Sequence, residues 1–300
     1  MSHKASQHIA LAVDVGGTKL AVGLVGIEGE VLTRAQMPTP STNSEEVLWD
    51  SLLGLIEKVV QNGERYDVCG VGCGGPMTRN GALVSPLNIP AWRSFPLLKR
   101  LEEALGVPVA VDNDAKALAL GEAWYGAGRT LSNFLAMVVS TGVGGGLVVN
   151  DVLLDGKDGN AGHVGHVIVE PDGALCGCGA FGCLEAEASG TAIERRTGRP
   201  PAEADTSERI RAGLMVGRAV ASVVNLLDLE QVLVGGSVAL GFGDPFFEAA
   251  NRELADRCRL EFSRGVRISS VQLGEVTPLV GAAAVGFRSV GSTVGGNQPD

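Results

Sequence analysis

Residues 9–25 read IALAVDVGGTKLAVGLV. Two short apolar runs, Ile9 to Val13 and Leu20 to Val25, flank Asp14-Val15-Gly16-Gly17-Thr18-Lys19. Apolar runs of this length broken by glycines predict two strands joined by a turn. Gly29-Glu30 marks a second turn, into Val31 to Met37, so the chain opens with an antiparallel meander. Backbone N–H groups in such a glycine turn can point at phosphate oxygens. Gly16 and Gly17 carry no side chain to block approach, Thr18 offers a hydroxyl and Lys19 a charge. Asp14, at the strand end, suits a hydrated Mg²⁺. Alone, the stretch reads equally well as an ordinary hairpin turn.

Outward from this stretch, apolar residues recur at helical spacing from Ser44 to Val60, with Ser44 as cap and Glu45 and Glu46 in the first turn. Val68 to Gly72 is a strand that ends in the loop Cys73-Gly74-Gly75-Pro76, and Phe95 to Leu105 is a helix closed by Gly106. Pro108 to Val111 is a strand, and Asp112-Asn113-Asp114 opens a helix to Tyr125. Residues 134–149, FLAMVVSTGVGGGLVV, then repeat the strand–glycine turn–strand pattern. Thr18…Gly23-Leu24-Val25 and Thr141…Gly146-Leu147-Val148 share one spacing, which fits two lobes built alike. Helices are expected over 207–227, 245–258 and 278–287, and a strand over 266–271. A third glycine-rich strand end, Gly235-Gly236-Ser237, follows the strand Gln231 to Val234. Strand ends of α/β sheets are where nucleotides bind. Neither a Gly-x-x-x-x-Gly-Lys-Ser/Thr loop nor a Gly-x-Gly-x-x-Gly turn into a helix occurs.

The 300 residues are 45% hydrophobic, enough for two lobes with buried cores. The polar start and the lack of a long apolar run lead us to expect a cytoplasmic chain without a membrane segment. The formal net charge is −10 and no basic run stands out, which disfavours nucleic-acid binding. A polyanion such as ATP can still bind through backbone N–H groups, a divalent metal and a few side chains. Three of the six cysteines fall within the spacing His166-x9-Cys176-x-Cys178-x4-Cys183. One imidazole and three thiolates suit tetrahedral Zn²⁺, and four protein ligands make the metal structural. Buried or redox cysteines are the alternative. Cys69, Cys73 and Cys258 read as core thiols.

Phosphoryl transfer to a hydroxyl needs a group that takes the proton. Asp114 is the candidate, although Asp112, Asn113 and Asp114 can each serve as a helix cap, and sequence physics alone favours capping. The motifs together resemble the ROK family of sugar kinases, in the actin/hexokinase superfamily. Asp14-x-Gly-Gly-Thr-Lys resembles the family's first phosphate motif, Ser140-Thr-Gly-Val-Gly-Gly-Gly its second, and Val234-Gly-Gly-Ser its adenosine motif. Asn113-Asp114-Ala115 is similar to the catalytic motif, and Cys176 to Glu185 to the family signature. The resemblance covers about Ile9 to Gly286.

It implies an α/β protein with a two-lobed, ribonuclease-H-like, actin-like ATPase fold and a central cleft. The smaller lobe is expected over 1–117, joined by 287–300, and the larger over 118–286 with the zinc segment at 163–185. The resemblance implies ATP, Mg²⁺ and structural Zn²⁺ as cofactors, and a homodimer. ATP would be held by Asp14, Gly16, Gly17, Thr18, Lys19, Thr141, Gly142, Gly144, Gly235, Gly236 and Ser237. The sugar would meet Gly75, Asn88, Asn113, Asp114, His163, His166 and Glu185, with Asp114 as base toward the 6-hydroxyl. Lys116 stands where many members have Asn, and His163 where family glucokinases have Glu. A carboxylate only accepts hydrogen bonds, whereas a neutral imidazole both donates and accepts. His163 is similar to the residue of bacterial N-acetylmannosamine kinases, so that sugar is the alternative to glucose. Three further functions compete with a sugar kinase: an inactive sugar sensor, a DNA-binding repressor and a zinc hydrolase. With eight residues before the first strand we expect no DNA-binding domain, and the four-ligand zinc set argues against the hydrolase.

Overall fold

The computed structural model describes residues 8–292. In chain order the strands are β1 (Ile9–Val15), β2 (Lys19–Gly26), β3 (Val31–Pro38), β4 (Val68–Cys73), β5 (Val109–Asn113), β6 (Phe134–Val139), β7 (Val143–Val149), β8 (Val152–Leu153), β9 (Gln231–Gly235) and β10 (Arg267–Ser270). The helices are α1 (Glu45–Val60), α2 (Leu97–Leu105), α3 (Asp114–Tyr125), α4 (Leu184–Ala188), α5 (Gly190–Thr197), α6 (Thr206–Leu227), α7 (Ser237–Phe242), α8 (Asp244–Arg257) and α9 (Thr277–Ser289). Among the described residues, two compact units result: 8–126 with 155–160 and 273–292, and 127–154 with 161–272. This division differs from the expected boundary at 117/118, which cuts through α3. Two segments far along the chain also belong to the first unit, and apolar periodicity carries no record of such returns.

In the first unit the sheet order is β3-β2-β1-β4-β5, with β1–β3 an antiparallel meander and β4 and β5 parallel to β1. One face packs on α1, whose Leu48, Leu52, Leu55, Ile56 and Val59 are buried, in keeping with their spacing. Ser44 caps this helix, its hydroxyl accepting from the Val47 N–H. The other face packs on α9. A Cβ at Gly70 would strike the Ala282 carbonyl, and one at Gly281 the Ala117 carbonyl. The run of small residues in α9 is therefore what lets it lie close on β4 and α3.

The second unit repeats the topology, β10-β9-β6-β7-β8, with β6–β8 the meander and β9 and β10 parallel to β6. Its core includes Leu135, Met137, Val216, Val220, Val232 and Phe246. Each such side chain, fully buried, contributes about 1.5–3 kcal/mol relative to exposure. Helix α6 is long and apolar enough, by length and composition, to cross a membrane, but most of it is buried inside the fold. Asp205 caps it, accepting from the Glu208 N–H at 2.9 Å. Gly213 and Gly217 lie one turn apart and let α8 approach, since a side chain on either would meet the Phe246 or Ala250 carbonyl. The short elements β8, α4, α5 and α7 lie outside the expectations from sequence, since segments of two to eight residues show too little periodicity to read.

Candidate active site

The first glycine turn forms between β1 and β2, closed by the Gly16 N–H donating to the Lys19 carbonyl at 3.0 Å. Thr39, just past β3, locks it: its hydroxyl donates to the Gly16 carbonyl at 2.6 Å and its N–H to the Thr18 carbonyl at 3.0 Å. Gly17, Thr18 and Lys19 stay exposed. A Cβ on Gly17 would come within 2.7 Å of the Asn88 Cβ, so the turn and the Asn88 loop touch.

Asp14, Gly72 and Asp112 share one row across β1, β4 and β5. A Cβ at Gly72 would sit 3.5 Å from the Asp114 Cα and 3.8 Å from Asp14 Oδ1. Glycine here leaves room beside both carboxylates. Burial pushes the Asp14 carboxyl up to about 7, helped by the charge of Asp114 and opposed by Lys19. A carboxylate that costs free energy to ionise beside another fits a divalent cation, whose charge would offset both the burial and the neighbouring carboxylate. The three polar residues at the start of α3 have distinct tasks. Asn113 is the cap, its Oδ1 accepting from the Ala115 and Lys116 N–H groups at 3.0 and 3.4 Å. Asp112 pairs with the buried Lys116 at 2.8 Å. Asp114 follows as the first helical residue, accepting from the Ala115 N–H. Capping therefore accounts for Asn113 and does not require Asp114.

In the second unit, the glycine turn between β6 and β7 is closed by the Ser140 N–H donating to the Gly142 carbonyl at 2.9 Å. Ser140 Oγ lies 2.9 Å from Ser237 Oγ, so the second and third glycine motifs meet. Gly236, at φ 96°, passes so close to β6 that a Cβ would strike the Val139 carbonyl. Thr191 donates through its hydroxyl to the Thr141 carbonyl at 3.0 Å and braces the same turn.

Glu185 lies in the first turn of α4 beside these motifs, and its Oε2 accepts from the Val143 N–H at 2.9 Å. His163 and His166 have ring centroids 5.9 Å apart. Burial lowers the pKa of His163, the charge of His166 lowers it further, and Glu185 opposes. The three side chains thus form one group, and the turn that carries the two histidines needs Gly165 bare to clear the Val143 carbonyl.

The ligand atoms of His166, Cys176, Cys178 and Cys183 all lie within 4.8 Å of one another. Cys176 Sγ is 3.7 Å from His166 Nδ1, and Cys178 Sγ is 3.7 Å from Cys183 Sγ. Zn–S bonds of about 2.3 Å in a tetrahedron put neighbouring ligands about 3.7 Å apart, so the donor set fits Zn²⁺. The cysteine loop is a tight turn, with the Cys176 N–H on the Ala180 carbonyl at 2.8 Å. Buried Glu187 holds it from below, accepting from the Ala174 N–H at 2.6 Å while paired with Arg211.

Every residue singled out in the sequence falls into one of two groups. Asp14, Gly16 to Lys19, Gly75, Asn88, Asn113 and Asp114 are in the first unit; the second glycine turn, Gly235 to Ser237, His163, His166, Glu185, Cys176, Cys178 and Cys183 are in the second. Thr39, Gly72 and Thr191 carry no motif, and only strand register and loop contacts reveal them.

Among known proteins, the ROK family model matches residues 10–287. A glucokinase of Thermotoga maritima is 33% identical over 94% of this chain and 98% of its own length. An N-acetylmannosamine kinase of Escherichia fergusonii is 35% identical over 78% of this chain and 84% of its own length. The solved structure of a ROK family glucokinase from Streptomyces griseus, in complex with glucose and AMPPNP, superposes with a TM-score of 0.83. It is 29% identical, covering 93% of this chain and 99% of that one. With the motifs, the doubled sheet topology and these matches in agreement, the chain belongs to the ROK family and has its actin-like ATPase fold.

Proposed function

We propose that this ROK sugar kinase transfers the γ-phosphoryl group of MgATP to the 6-hydroxyl of a hexose, as a glucokinase does. The observation that carries the reading is the Asp14–Asp114 pair, with Gly72 keeping space beside it and Asn113 taking the capping task. In this reading Asp114 accepts the O6 proton as that oxygen attacks the γ-phosphorus; the bond to the bridging oxygen breaks and ADP departs with its electron pair. Asp14 would hold Mg²⁺, which would supply charge neutralisation at the phosphoryl oxygens. The turns Gly16 to Lys19 and Thr141 to Gly144 cradle phosphates, and Gly235 to Ser237 receive the adenosine. Gly75, Asn88, Asn113, His163, His166 and Glu185 hold the sugar. The four-ligand zinc set would fix the loop that presents His166 and Glu185. We further infer a cytoplasmic homodimer. All six cysteines are free, and a thiolate-rich metal site suits a reducing compartment.

His163 favours a second reading, an N-acetylmannosamine kinase. Its ring offers a donor and an acceptor where a carboxylate only accepts. The test is ATP-dependent ADP release with glucose, mannose, N-acetylmannosamine and N-acetylglucosamine. We expect the highest kcat/KM with glucose, and a kcat loss of about 10²–10⁴-fold in Asp114→Asn. Preference for an acetamido sugar, abolished by His163→Glu, replaces the first reading by the second. No turnover of any sugar by folded, ATP-binding protein sinks both and leaves a sugar sensor.

A further inference from the structure

A cavity of about 530 Å³ opens in the first unit beside the edge strand β5. Arg79, Lys116, Lys157 and Arg288 line it with Asp112 and Asp155, and none of the residues given to ATP, the base or the sugar does. Its volume lies in the range of small-molecule sites, about 300–1,000 Å³.

Both carboxylates are already engaged. Lys116, 1% exposed, sits 2.8 Å from Asp112 and 2.6 Å from Asp155, and also donates to the Gly159 carbonyl. Arg288 only reaches the second oxygen of Asp155, at 3.4 Å. Among the described residues, Arg79 and Lys157 make no ion pair. Arg79 is held at the mouth by a turn in which Asn80 and Gly81 take φ of 60° and 68° and Gly81 packs on Val111. Three exposed cations therefore converge on one polar-rimmed cavity of a chain whose net charge is −10. Guanidinium and ammonium groups placed so are partners for phosphate oxygens.

We propose that this cavity is a second, non-catalytic site for a phosphomonoester of hexose size, the chemical class of the product of the reaction proposed above. That choice of ligand rests on the kinase reading; the basic cavity does not. A route to the base exists in the same contacts. Asp155 is shared by Lys116 and Arg288, and Lys116 lies two residues from Asp114 in the first turn of α3. A phosphate that draws Arg288 to itself changes what Lys116 holds.

The test is calorimetric titration of the full chain, already saturated with glucose and AMPPNP, with glucose 6-phosphate and, separately, inorganic phosphate. We expect glucose 6-phosphate to bind under saturation, and the double variant Arg79→Gln/Lys157→Gln to weaken that binding by ~10-fold or more. The double variant should keep its melting temperature and basal kcat/KM, and the single variant Lys157→Glu serves if it does not fold. Binding that is lost under saturation, or equal in wild type and variants, overturns the proposal. Equal affinity for inorganic phosphate overturns the hexose-sized occupant. The readout is binding, so a chain that turns over no sugar fails the kinase reading separately.

Discussion

Asp14 stands at the end of β1, partly buried and close enough to Asp114 that burial and the neighbouring charge push its carboxyl up to about 7. An acid whose pKa is raised in the fold stabilises it below its unfolded pKa, near 4, and loses that contribution as pH rises through about 7. In Mg²⁺-free buffer, Asp14→Asn should therefore be about as stable as wild type near pH 4 and more stable near pH 8, by on the order of 2–4 kcal/mol. Urea unfolding across that range measures it, and a difference that does not change with pH contradicts it. The glycine turn drew attention to Asp14, whereas Asp114 stood out through its family motif, the strand–helix junction by itself favouring a cap. The sequence left three candidates for the cap at 112–114, because all three residue types cap helices. Packing chose Asn113, since Asp112 is drawn to Lys116 and away from the helix end. Gly72 was illegible, for a glycine inside an apolar strand announces a close approach without saying to what.

The cysteine loop shows the same division at the scale of an element. The spacing His166-x9-Cys176-x-Cys178-x4-Cys183 pointed to four residues whose ligand atoms the fold brings together, a donor set of the kind that suits tetrahedral zinc. Its supports, Glu187 and Arg211, lie 4 and 28 residues beyond Cys183 and belong to no motif. Zinc removal with a chelator should lower the melting temperature by about 5 °C or more, and zinc should restore it. Cys178→Ser should melt low even with zinc present; an unchanged melting temperature after verified metal removal would remove the zinc assignment. The longer helices were readable from their apolar spacing and caps, to within two residues for α1, α2 and α9. Strand β8 and helices α4, α5 and α7 form because the residues on either side are fixed by packing, which leaves little local signal.

For the molecule as a whole, charge is a property that sequence alone settles. A net charge of −10 without a basic run opposes binding to a polyanionic duplex. We expect no retardation of duplex DNA at about 0.15 M salt in an electrophoretic mobility assay, and a specific shift would contradict that. The shared spacing of Thr18…Gly23 and Thr141…Gly146 announced two units built alike, and both sheets have that topology. The sequence by itself determined the strand–glycine turn–strand units, the amphipathic helices, the Cys/His cluster and the family motifs, because each rests on neighbours within a few residues. Tertiary structure alone decided that 155–160 and 273–286 fold with the first unit and that Lys116 is buried between Asp112 and Asp155. It also decided that four basic residues from distant parts of the chain share one cavity. Those outcomes depend on which distant segments exclude water together, and no local periodicity encodes that choice.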